Sequence, residues 1–458
     1  MNNKYTAGID KFINDNRENI VRDIARLVAI NSVEGKAEPG APFGKGPKQA
    51  LELGLEICRE LGLEAVNCED KIGYGQIGDA EDYLATITHL DVVPVGEGWT
   101  GDPFTLRERE GYIIGRGVMD DKGPSVLCLY ALKYLKDAGV PLRYSIRALL
   151  GTNEETGMGD VEYYLDNYKA PVFCFSPDSG FPVCNGEKGI CNLRIVSKTK
   201  LDKIADIRGG VAGNVIPGKA EAWVKGAKPA ATESVSVEAD GELWHLTAKG
   251  IGGHASKPEG TVNAIGVLIS YILENKLAGD EEEKFLRLLM KLHESWNGSG
   301  LGVDADDGKF EPLTIIGGVI GVEDGHIFQT VDSRYPTNTS GRKIADTISA
   351  LAGELAEIEL KRDTAPFYMS TDNPAVKVCM DVYNAVTGED AKPYTMGGGT
   401  YARDFPNGVS FGPEHPERSY PDFFGPIHGA DEAASIDEFM EALKIYILAL
   451  IELEAVEF

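Results

Sequence analysis

The stretch LATITHLDVVPVGEGW, residues 84–99, places an imidazole and a carboxylate at the end of an apolar run. Its first residues read as a buried β-strand that ends at His89, and Asp91 follows two positions later. Side chains at positions i and i+2 of a strand point to the same side. A ligating imidazole usually donates its second N–H to a carboxylate, so the pair is compatible with a metal site. An ordinary packed or surface histidine is the alternative, because a His-x-Asp pair alone is weak evidence.

Helices alternate with strands around this stretch. The spacing of apolar residues predicts amphipathic helices over 7–30, 46–63 and 123–140, and strands over 144–155 and 170–180. Such alternation is typical of an α/β layer with a mainly parallel sheet. Ligands bind beyond the carboxyl ends of the strands in a sheet of this kind. The strand ends are therefore the places to look for chemistry.

Further along the chain the pattern changes to alternating strands of an antiparallel type, with helices predicted over 263–278 and 341–362. The helical pattern then returns and continues to the last residues. A chain of 458 residues is also too long for one ordinary core. We therefore predict a discontinuous α/β domain of residues 1–186 and 369–458, interrupted by an inserted α+β domain of residues 187–368.

Composition excludes several classes of partner. The net charge of −27 argues against nucleic acid and against an anionic membrane surface. The seven cysteines are dispersed and form no CxxC pair, so reduced thiols in a cytoplasmic protein are expected rather than a disulfide framework or a thiolate zinc site. The polar N-terminal stretch has no hydrophobic core of a signal peptide, and no apolar run is long enough to span a bilayer.

Two further strand ends carry carboxylates. The segment TNEETG presents Glu154 and Glu155, and SPDSG presents Asp178. Adjacent glutamates repel each other unless a cation or a proton intervenes. Metal binding by one would leave the other to move protons. A solvated acidic turn is an equally simple interpretation of TNEETG taken alone.

Three loops add candidate residues. The segment GRGVMDDKGP places Asp120 and Asp121 before a predicted helix, where they suit either a metal bridge or the helix N-terminus. His428 lies in GPIHGADE, before the last helix. His254 lies in GIGGHASKPEG after two glycines, where a functional role and a plain loop are about equally compatible with the sequence.

Taken in order, these motifs closely resemble the M20 family of di-metal peptidases and deacylases. The matching segments are THLDVVP, GRGVMDDKGP, TNEETG, SPDSGFP, GGHASKPEGTVNA and GPIHGADE, which together span nearly the whole chain. The segments VMDDKGP and GEGWTGDPF and the large insert favour the PepV-like monomeric dipeptidase branch. The resemblance implies that the discontinuous domain is a di-metal catalytic domain and that the insert is its lid.

The resemblance also implies a ligand set for two divalent metal ions, zinc or alternatively manganese. His89 and Asp178 would bind one ion, Glu155 and His428 the other, and Asp120 would bridge both. Glu154 would act as general base and then general acid, and Asp91 would orient His89. The bond between Asp120 and Asp121 is expected to be a cis peptide.

On the lid, the resemblance implies that His254 stabilises the oxyanion formed at the scissile carbonyl. Asn214 and Arg334 resemble substrate-binding lid residues, and Arg334 could hold the substrate carboxylate. The run TMGGGTYARDFP, residues 395–406, resembles a loop that accepts the same end of the substrate, with Gly398 and Gly399 allowing backbone N–H groups to approach an anion. A flexible glycine loop is the alternative.

The activity implied is hydrolysis of the amide bond of dipeptides or short peptides with a free N-terminus, by a metal-bridging hydroxide. An N-acyl amino acid or succinyl-diaminopimelate deacylase would use the same residues, and a metal-dependent binding protein without catalysis is the third hypothesis. A monomer is expected, because the large insert lets one chain supply its own lid histidine.

Overall fold

The computed structural model describes residues 5–458. Within this range the chain forms nine α-helices and two short 3-10 helices. The α-helices are α1 Ile9–Val28, α2 Lys45–Glu60, α3 Lys122–Asp137, α4 Gly159–Asn167, α5 Ala264–Glu274, α6 Asp280–His293, α7 Gly341–Ala352, α8 Pro374–Thr387 and α9 Ile436–Leu453, and the 3-10 helices are Ser299–Leu301 and Tyr401–Asp404. No helix among the described residues is both long enough and apolar enough to cross a lipid bilayer.

The same part of the chain contains 24 β-strands. They are β1 Glu64–Cys68, β2 Ile72–Ile77, β3 Tyr83–His89, β4 Arg107–Arg109, β5 Tyr112–Ile114, β6 Ser145–Gly151, β7 Phe173–Ser176, β8 Ser179–Gly180, β9 Val183–Glu187, β10 Gly189–Lys200, β11 Ile204–Gly209, β12 Val215–Ile216, β13 Lys219–Val224, β14 Val235–Asp240, β15 Leu243–Lys249, β16 Gly253–His254, β17 Thr314–Glu323, β18 His326–Tyr335, β19 Ala356–Thr364, β20 Phe367–Tyr368, β21 Tyr394–Met396, β22 Gly408–Phe411, β23 Pro413–Glu414 and β24 Ala433–Ser435.

The chain divides into two compact units. The first contains the chain up to Asn185 together with Met369–Tyr394 and Gly399–Phe458. The second contains Gly186–Tyr368 and the short segment Thr395–Gly398. That short segment lies outside the insert of residues 187–368 predicted from the sequence, because the antiparallel pattern used to delimit the insert does not extend to it.

The main sheet of the first unit runs in the order β1-β2-β6-β3-β7-β22-β9. Its four central strands β6, β3, β7 and β22 are parallel neighbours, whereas β1, β2 and β9 pair antiparallel. Every residue of β3 is buried, as expected for a central strand covered on both faces. The predicted α/β class with a parallel centre is therefore confirmed, with antiparallel strands added at the edges.

Helices α1, α3, α8 and α9 of the first unit pack against one another. Helix α3 is buried almost all round in its first eleven residues, and α9 buries most of its length. A helix that is apolar on most faces requires neighbours on most sides. The position of α3 matters for function, because its N-terminus follows directly on Asp120 and Asp121.

The second unit is built on an antiparallel sheet of eight strands in the order β14-β15-β13-β11-β17-β18-β10-β19. Helices α5 and α6 pack on this sheet and share one apolar core with it. The alternation of buried and half-buried residues along β10 and β13 is the pattern expected of strands with one face in a core.

The predicted helix over 341–362 is wrong in its second half. Helix α7 ends at Ala352, and Gly353 adopts a φ of 52°, a conformation that favours glycine. The chain then forms β19, which pairs antiparallel with β10 at the edge of the sheet. The residues of β19 include good helix formers, but an available sheet edge overrides that local preference.

Candidate active site

Three parallel strands of the first unit deliver site residues at their carboxyl ends. His89 is the last residue of β3 and lies opposite Gly151, the last residue of β6. The chain continues from β6 to Glu154 and Glu155, and β7 ends two residues before Asp178. Parallel neighbours end at the same edge of a sheet, which brings these groups together.

Asp120 lies between two histidines. Its Oδ1 is 2.8 Å from Nε2 of His89, and its Oδ2 is 2.8 Å from Nε2 of His428. Nε2 of His428 is also 3.3 Å from Oε2 of Glu155, and Nε2 of His89 is 3.9 Å from Oδ2 of Asp178. The structure thus gathers in one cluster the five residues expected from the sequence to hold metal ions.

Glu154 lies in the same cluster. Ligand-type atoms of His89, Glu154 and Asp178 all lie within 4.8 Å of one another, and the same holds for His89, Asp120 and Glu155. The resemblance to the M20 family implied that Glu154 moves protons rather than binds metal. Its place among the ligand-type atoms is compatible with that role, because a proton carrier must lie within reach of the group it serves.

Asp91 contacts the site in a different way from the one expected. Nδ1 of His89 lies 3.0 Å from the backbone carbonyl oxygen of Asp91, and 3.5 Å from its carboxylate. The carboxylate instead accepts the backbone N–H groups of Glu154, at 3.2 Å, and of Glu155, at 3.1 Å. Asp91 therefore contacts the His89 ring chiefly through its main chain and holds the glutamate loop through its side chain.

Asp160 and Tyr401 extend this support, and the sequence analysis missed both. The Asp160 carboxylate is fully buried, accepts the backbone N–H groups of Thr152 and Asn153, and is hydrogen-bonded to the hydroxyl of Tyr401. Together with Asp91 it fixes four consecutive backbone N–H groups of the loop that leads to the two glutamates. A lone aspartate seven or eight residues from its partners carries no sequence signal for this role.

Asp121 links α3 to the end of β3. The peptide bond between Asp120 and Asp121 is cis, as the resemblance implied. Asp121 is the N-cap residue of α3, and its carboxylate accepts the backbone N–H of His89 at 3.2 Å. Asp120 joins the cluster, and Asp121 occupies the N-cap position without a side-chain hydrogen bond to the helix, because its carboxylate is directed to His89 instead.

The charges of the cluster are poorly balanced. Burial raises the pKa of Glu154 well above its usual range; His89 opposes this rise, and repulsion from Glu155 and Asp120 adds to it. Burial raises the pKa of Asp178 in the same way, with Asp120 adding to the effect. Two buried carboxyl groups are thus driven towards their neutral forms.

The histidines show the opposite effect. Burial lowers the pKa of His428, but the carboxylates of Asp120 and Glu155 outweigh it and raise the pKa to about 10. Burial likewise lowers the pKa of His89, yet Asp120 and Asp91 hold it well above its usual range. Four carboxyl groups thus share one site with two imidazoles, and a bound cation would favour the ionised forms of these carboxyl groups.

The donor set fits a divalent transition metal ion. Imidazole nitrogen and carboxylate oxygen are ligands that zinc and manganese accept. Buried Oε1 of Glu155 has no hydrogen-bond partner within residues 5–458, and Nε2 of His89 lies 2.8 Å from Oδ1 of Asp120 without the geometry of a hydrogen bond. Such orphaned buried polar atoms are costly unless a ligand satisfies them.

In the second unit, the structure brings the predicted lid residues together. Val215, next to Asn214, pairs with His254 between strands β12 and β16, and the carbonyl of Asn214 accepts the N–H of Ala255 at 2.9 Å. The pKa of His254 is lowered, first by desolvation and then by the positive charge of Arg334. The imidazole is therefore held in its neutral form.

Arg334 is itself held in place. Its Nε and Nη2 donate to the two carboxylate oxygens of Asp332, at 2.7 and 3.2 Å, and Nη1 donates to the carbonyl of Gly397 at 3.0 Å. Asn192 donates to the same carboxylate. The sequence analysis missed Asp332, although it lies two positions before Arg334 on one strand and so shares its face.

The glycine run is divided between the units. Gly398 belongs to the second unit and Gly399 to the first. A side-chain Cβ at Gly397 would lie 2.9 Å from Cβ of Ser256, so glycine is required there by close packing. Close packing thus explains this glycine without reference to an anion.

Comparison with known proteins gives the class of the chain. A model of peptidase family M20/M25/M40 matches residues 85–452. The match covers most of the chain and includes the residues of both units that form the clusters described above. The chain therefore belongs to this peptidase family, as the motifs indicated.

Individual relatives match over almost their full length. The YtjP protein of Bacillus subtilis (strain 168) is 33% identical over 460 residues, covering 95% of this chain and 97% of the relative. The Beta-Ala-Xaa dipeptidase of Lactobacillus delbrueckii subsp. lactis is also 33% identical over 460 residues, covering 95% and 96%. The crystal structure of human carnosine dipeptidase 1 shares the fold with a TM-score of 0.59 at 14% identity, covering 98% of this chain and 99% of that one.

Proposed function

We propose that this protein is a metal-dependent dipeptidase that hydrolyses the amide bond of dipeptides or short peptides with a free N-terminus. The observation that carries the proposal is the cluster of two histidines and four carboxylates, with Asp120 between the two histidines. Membership of the peptidase family and similarity to a Beta-Ala-Xaa dipeptidase support the substrate class.

We propose two divalent cations, zinc or manganese, as the cofactors. His89 and Asp178 would hold one, Glu155 and His428 the other, and Asp120 would contact both. When bound, such ions supply Lewis acidity that activates water and polarises the scissile carbonyl.

Glu154 is proposed to move the proton. Its carboxylate lies in the cluster beside His89 and Asp178, and its backbone N–H is fixed by Asp91. In the reaction Glu154 would accept a proton from the attacking water and then deliver it to the nitrogen of the leaving amine. Support of the loop by Asp91 and Asp160 keeps this carboxylate in position, so little reorganisation is required during turnover.

The roles of His254, Asn214 and Arg334 in the second unit remain predictions. A neutral imidazole with Nδ1 beside the hydroxyl of Ser256, at 2.7 Å, has one nitrogen left to donate to an oxyanion. Arg334, held by Asp332, keeps η-nitrogen hydrogens that can donate to a substrate carboxylate. We also propose that the protein acts as a monomer. A reducing compartment such as the cytoplasm is proposed because the protein's seven cysteines are all buried and dispersed along the chain.

A substrate panel on metal-stripped and reloaded protein tests the function. Protein treated with a chelator would be reloaded with Zn²⁺ or Mn²⁺ and assayed on alanine-containing dipeptides and on N-acetylated amino acids. We expect metal-dependent cleavage of dipeptides with a free amine. Preferential cleavage of N-acetylated amino acids would indicate a deacylase instead, and inactivity on both sets with metal bound would contradict an enzymatic role.

A further inference from the structure

Glu432 is a buried carboxylate next to the cluster of proposed metal-binding residues around Asp120. It is not itself one of the proposed ligands. Its exposed fraction is 0%, and both of its oxygens are in use. Oε1 accepts the backbone N–H groups of Met119, at 3.1 Å, and Asp120, at 3.2 Å. Oε2 accepts the N–H of Gly117 at 3.1 Å and a guanidinium N–H of Arg116 at 2.6 Å. One carboxylate thus holds the entire turn that presents Asp120.

Arg116 connects the same turn to His428. Its side chain is almost completely buried, and besides Glu432 it donates to the backbone carbonyl of His428 at 3.3 Å. Nη2 of Arg116 also donates to the backbone carbonyl of Val95, at 3.3 Å. His428 has a φ of 62°, in the left-handed region that few residues other than glycine adopt.

The fold explains why these two residues meet. Strand β24 pairs antiparallel with β5, with Ala433 opposite Ile114. Glu432 immediately precedes β24, and Arg116 follows two residues after the end of β5. The N–H of Gly115 donates to the carbonyl of Glu432 at 2.9 Å, so the pairing continues up to the site. The short sheet therefore aligns the loop of His428 with the turn of Asp120.

We propose that Glu432 and Arg116 are positioning residues that set the distance between Asp120 and His428, and that divalent cation binding depends on this pair. The proposal rests on the proposed function, in which both of these residues hold cations. The two Nε2-to-carboxylate distances at Asp120 are both 2.8 Å, so the bridge is symmetric only while the turn and the loop keep their spacing. Neither Glu432 nor Arg116 touches the reacting atoms in this scheme.

A purely structural role is the competing explanation, and its consequences differ. A buried ion pair contributes little to folding relative to apolar side chains of similar size. Glu432 accepts three backbone N–H groups of the turn that holds Asp120, and its fourth partner, Arg116, donates to the backbone carbonyl of His428. The pair thus joins the backbones of two proposed metal-binding residues, which a structural carboxylate such as Glu282 does not do. Groups that orient metal ligands typically change metal affinity about 10- to 100-fold when they are mutated.

The chain offers a matched control. Glu282 in the second unit is also a nearly fully buried carboxylate, and it accepts the backbone N–H groups of Asp202, Lys203, Ile204 and Gly279. Glu282→Gln removes the same charge from a comparable cage of N–H groups. It should lower the melting temperature and leave cation binding unchanged.

Isothermal titration of chelator-stripped protein with Zn²⁺, and separately with Mn²⁺, tests the proposal. For Glu432→Gln we expect affinity for at least one cation to fall about 10- to 100-fold. At saturating metal, kcat should largely recover and KM should stay unchanged. Because Glu432→Gln leaves the buried charge of Arg116 unpaired, the double variant Arg116→Met/Glu432→Gln removes both charges and is expected to show the same loss of affinity if the single variant fails to fold.

The outcomes separate the two proposals. Wild-type protein that binds no divalent cation would overturn both the proposed function and the positioning role. Wild-type protein that binds cations while the folded Glu432→Gln or double variant binds them equally well would overturn only the positioning role. An equal loss of affinity in Glu282→Gln would also overturn it, since the effect would then follow from general destabilisation.

Discussion

The two units of the protein treat buried charge in opposite ways. In the first unit, four carboxylates surround two histidines, and the pKa values of Glu154 and Asp178 rise because burial and mutual repulsion disfavour their charged forms. In the second unit, Arg334 is matched by Asp332, Asn192 donates to the same carboxylate, and the carbonyl of Gly397 accepts one further N–H of Arg334. The first arrangement needs a ligand to be balanced, whereas the second is already balanced.

This difference indicates separate tasks. Several acidic side chains that lie close together favour the binding of cations and the transfer of protons. A guanidinium fixed by a carboxylate is a rigid donor for recognising a substrate group. Substitutions in the first unit should therefore affect turnover or cation binding, while substitutions around Arg334 should affect substrate affinity.

The largest expected effect is that of Glu154→Gln. Loss of the proton carrier should lower kcat by about 10²- to 10⁴-fold, because that is the range contributed by a general acid–base group. Metal content, measured by plasma emission spectrometry, should stay at the wild-type level. Exposed Glu162 on α4 supplies the control, and Glu162→Gln should change neither quantity. Wild-type turnover in Glu154→Gln would remove the proposed base.

His254→Ala should come next. If His254 donates to the oxyanion, kcat should fall about 10²- to 10³-fold with metal content unchanged. His245 also lies in the second unit, stacked on Trp223 at 4.3 Å, and His245→Ala provides the matched control. A loss of bound metal in His254→Ala would assign this histidine to the cation cluster and weaken the contrast between the units.

Asp332→Asn tests the balanced pair directly. Removing the charge that holds Arg334 should raise KM for dipeptides about 10-fold or more, since hydrogen bonds to charged groups contribute about 1.5–3 kcal/mol. Steady-state kinetics should show little change in kcat, and metal content should not change. Asp346, which pairs with Arg342 on the surface, offers the control Asp346→Asn with kinetics like those of the wild type. An unchanged KM in Asp332→Asn would contradict a substrate-binding role for Arg334.

The smallest expected effect is a pH dependence of stability in metal-free protein. The pKa of His428 is raised to about 10 in the folded state, against about 6.5 in an unfolded chain. A raised pKa stabilises the folded state fully below the unfolded value, and this contribution is lost as pH rises through the folded value. The melting temperature of metal-free protein should thus fall as the pH rises from about 6.5 to about 10.

The shift should amount to a few degrees, because about half of the His428 side chain is exposed and solvent screens its ion pairs. Differential scanning calorimetry on His428→Gln gives the control, and this variant should show a smaller pH dependence. Zinc-loaded wild-type protein should also show less, since a ligating imidazole is not protonated. If the melting temperature depended equally on pH in the metal-free wild type, the His428→Gln variant and the zinc-loaded wild type, His428 would not be coupled to the carboxylates.

The sequence by itself determined the central strands and the residues at their ends. An apolar run that stops at His89 predicts both the strand and a polar group at its carboxyl end, because ligands of a parallel sheet bind at that edge. Glu154, Glu155 and Asp178 follow the same logic. The period of two did not predict the role of the Asp91 carboxylate, which accepts N–H groups of the glutamate loop. Helix α7 and strand β19 show the limit of prediction from sequence. The helix-forming residues of β19 do not reveal that this segment pairs with β10 at the edge of the sheet.

Only the tertiary structure decided which atoms support the site. Glu432 and Arg116 are 316 residues apart, and the carboxylate of Asp91 reaches N–H groups more than 60 residues away. Backbone N–H groups are present at every residue except proline, so no residue pattern records which of them a distant carboxylate will accept. That choice depends on the pairing of β5 with β24 and of β3 with β6, which is long-range geometry rather than local periodicity.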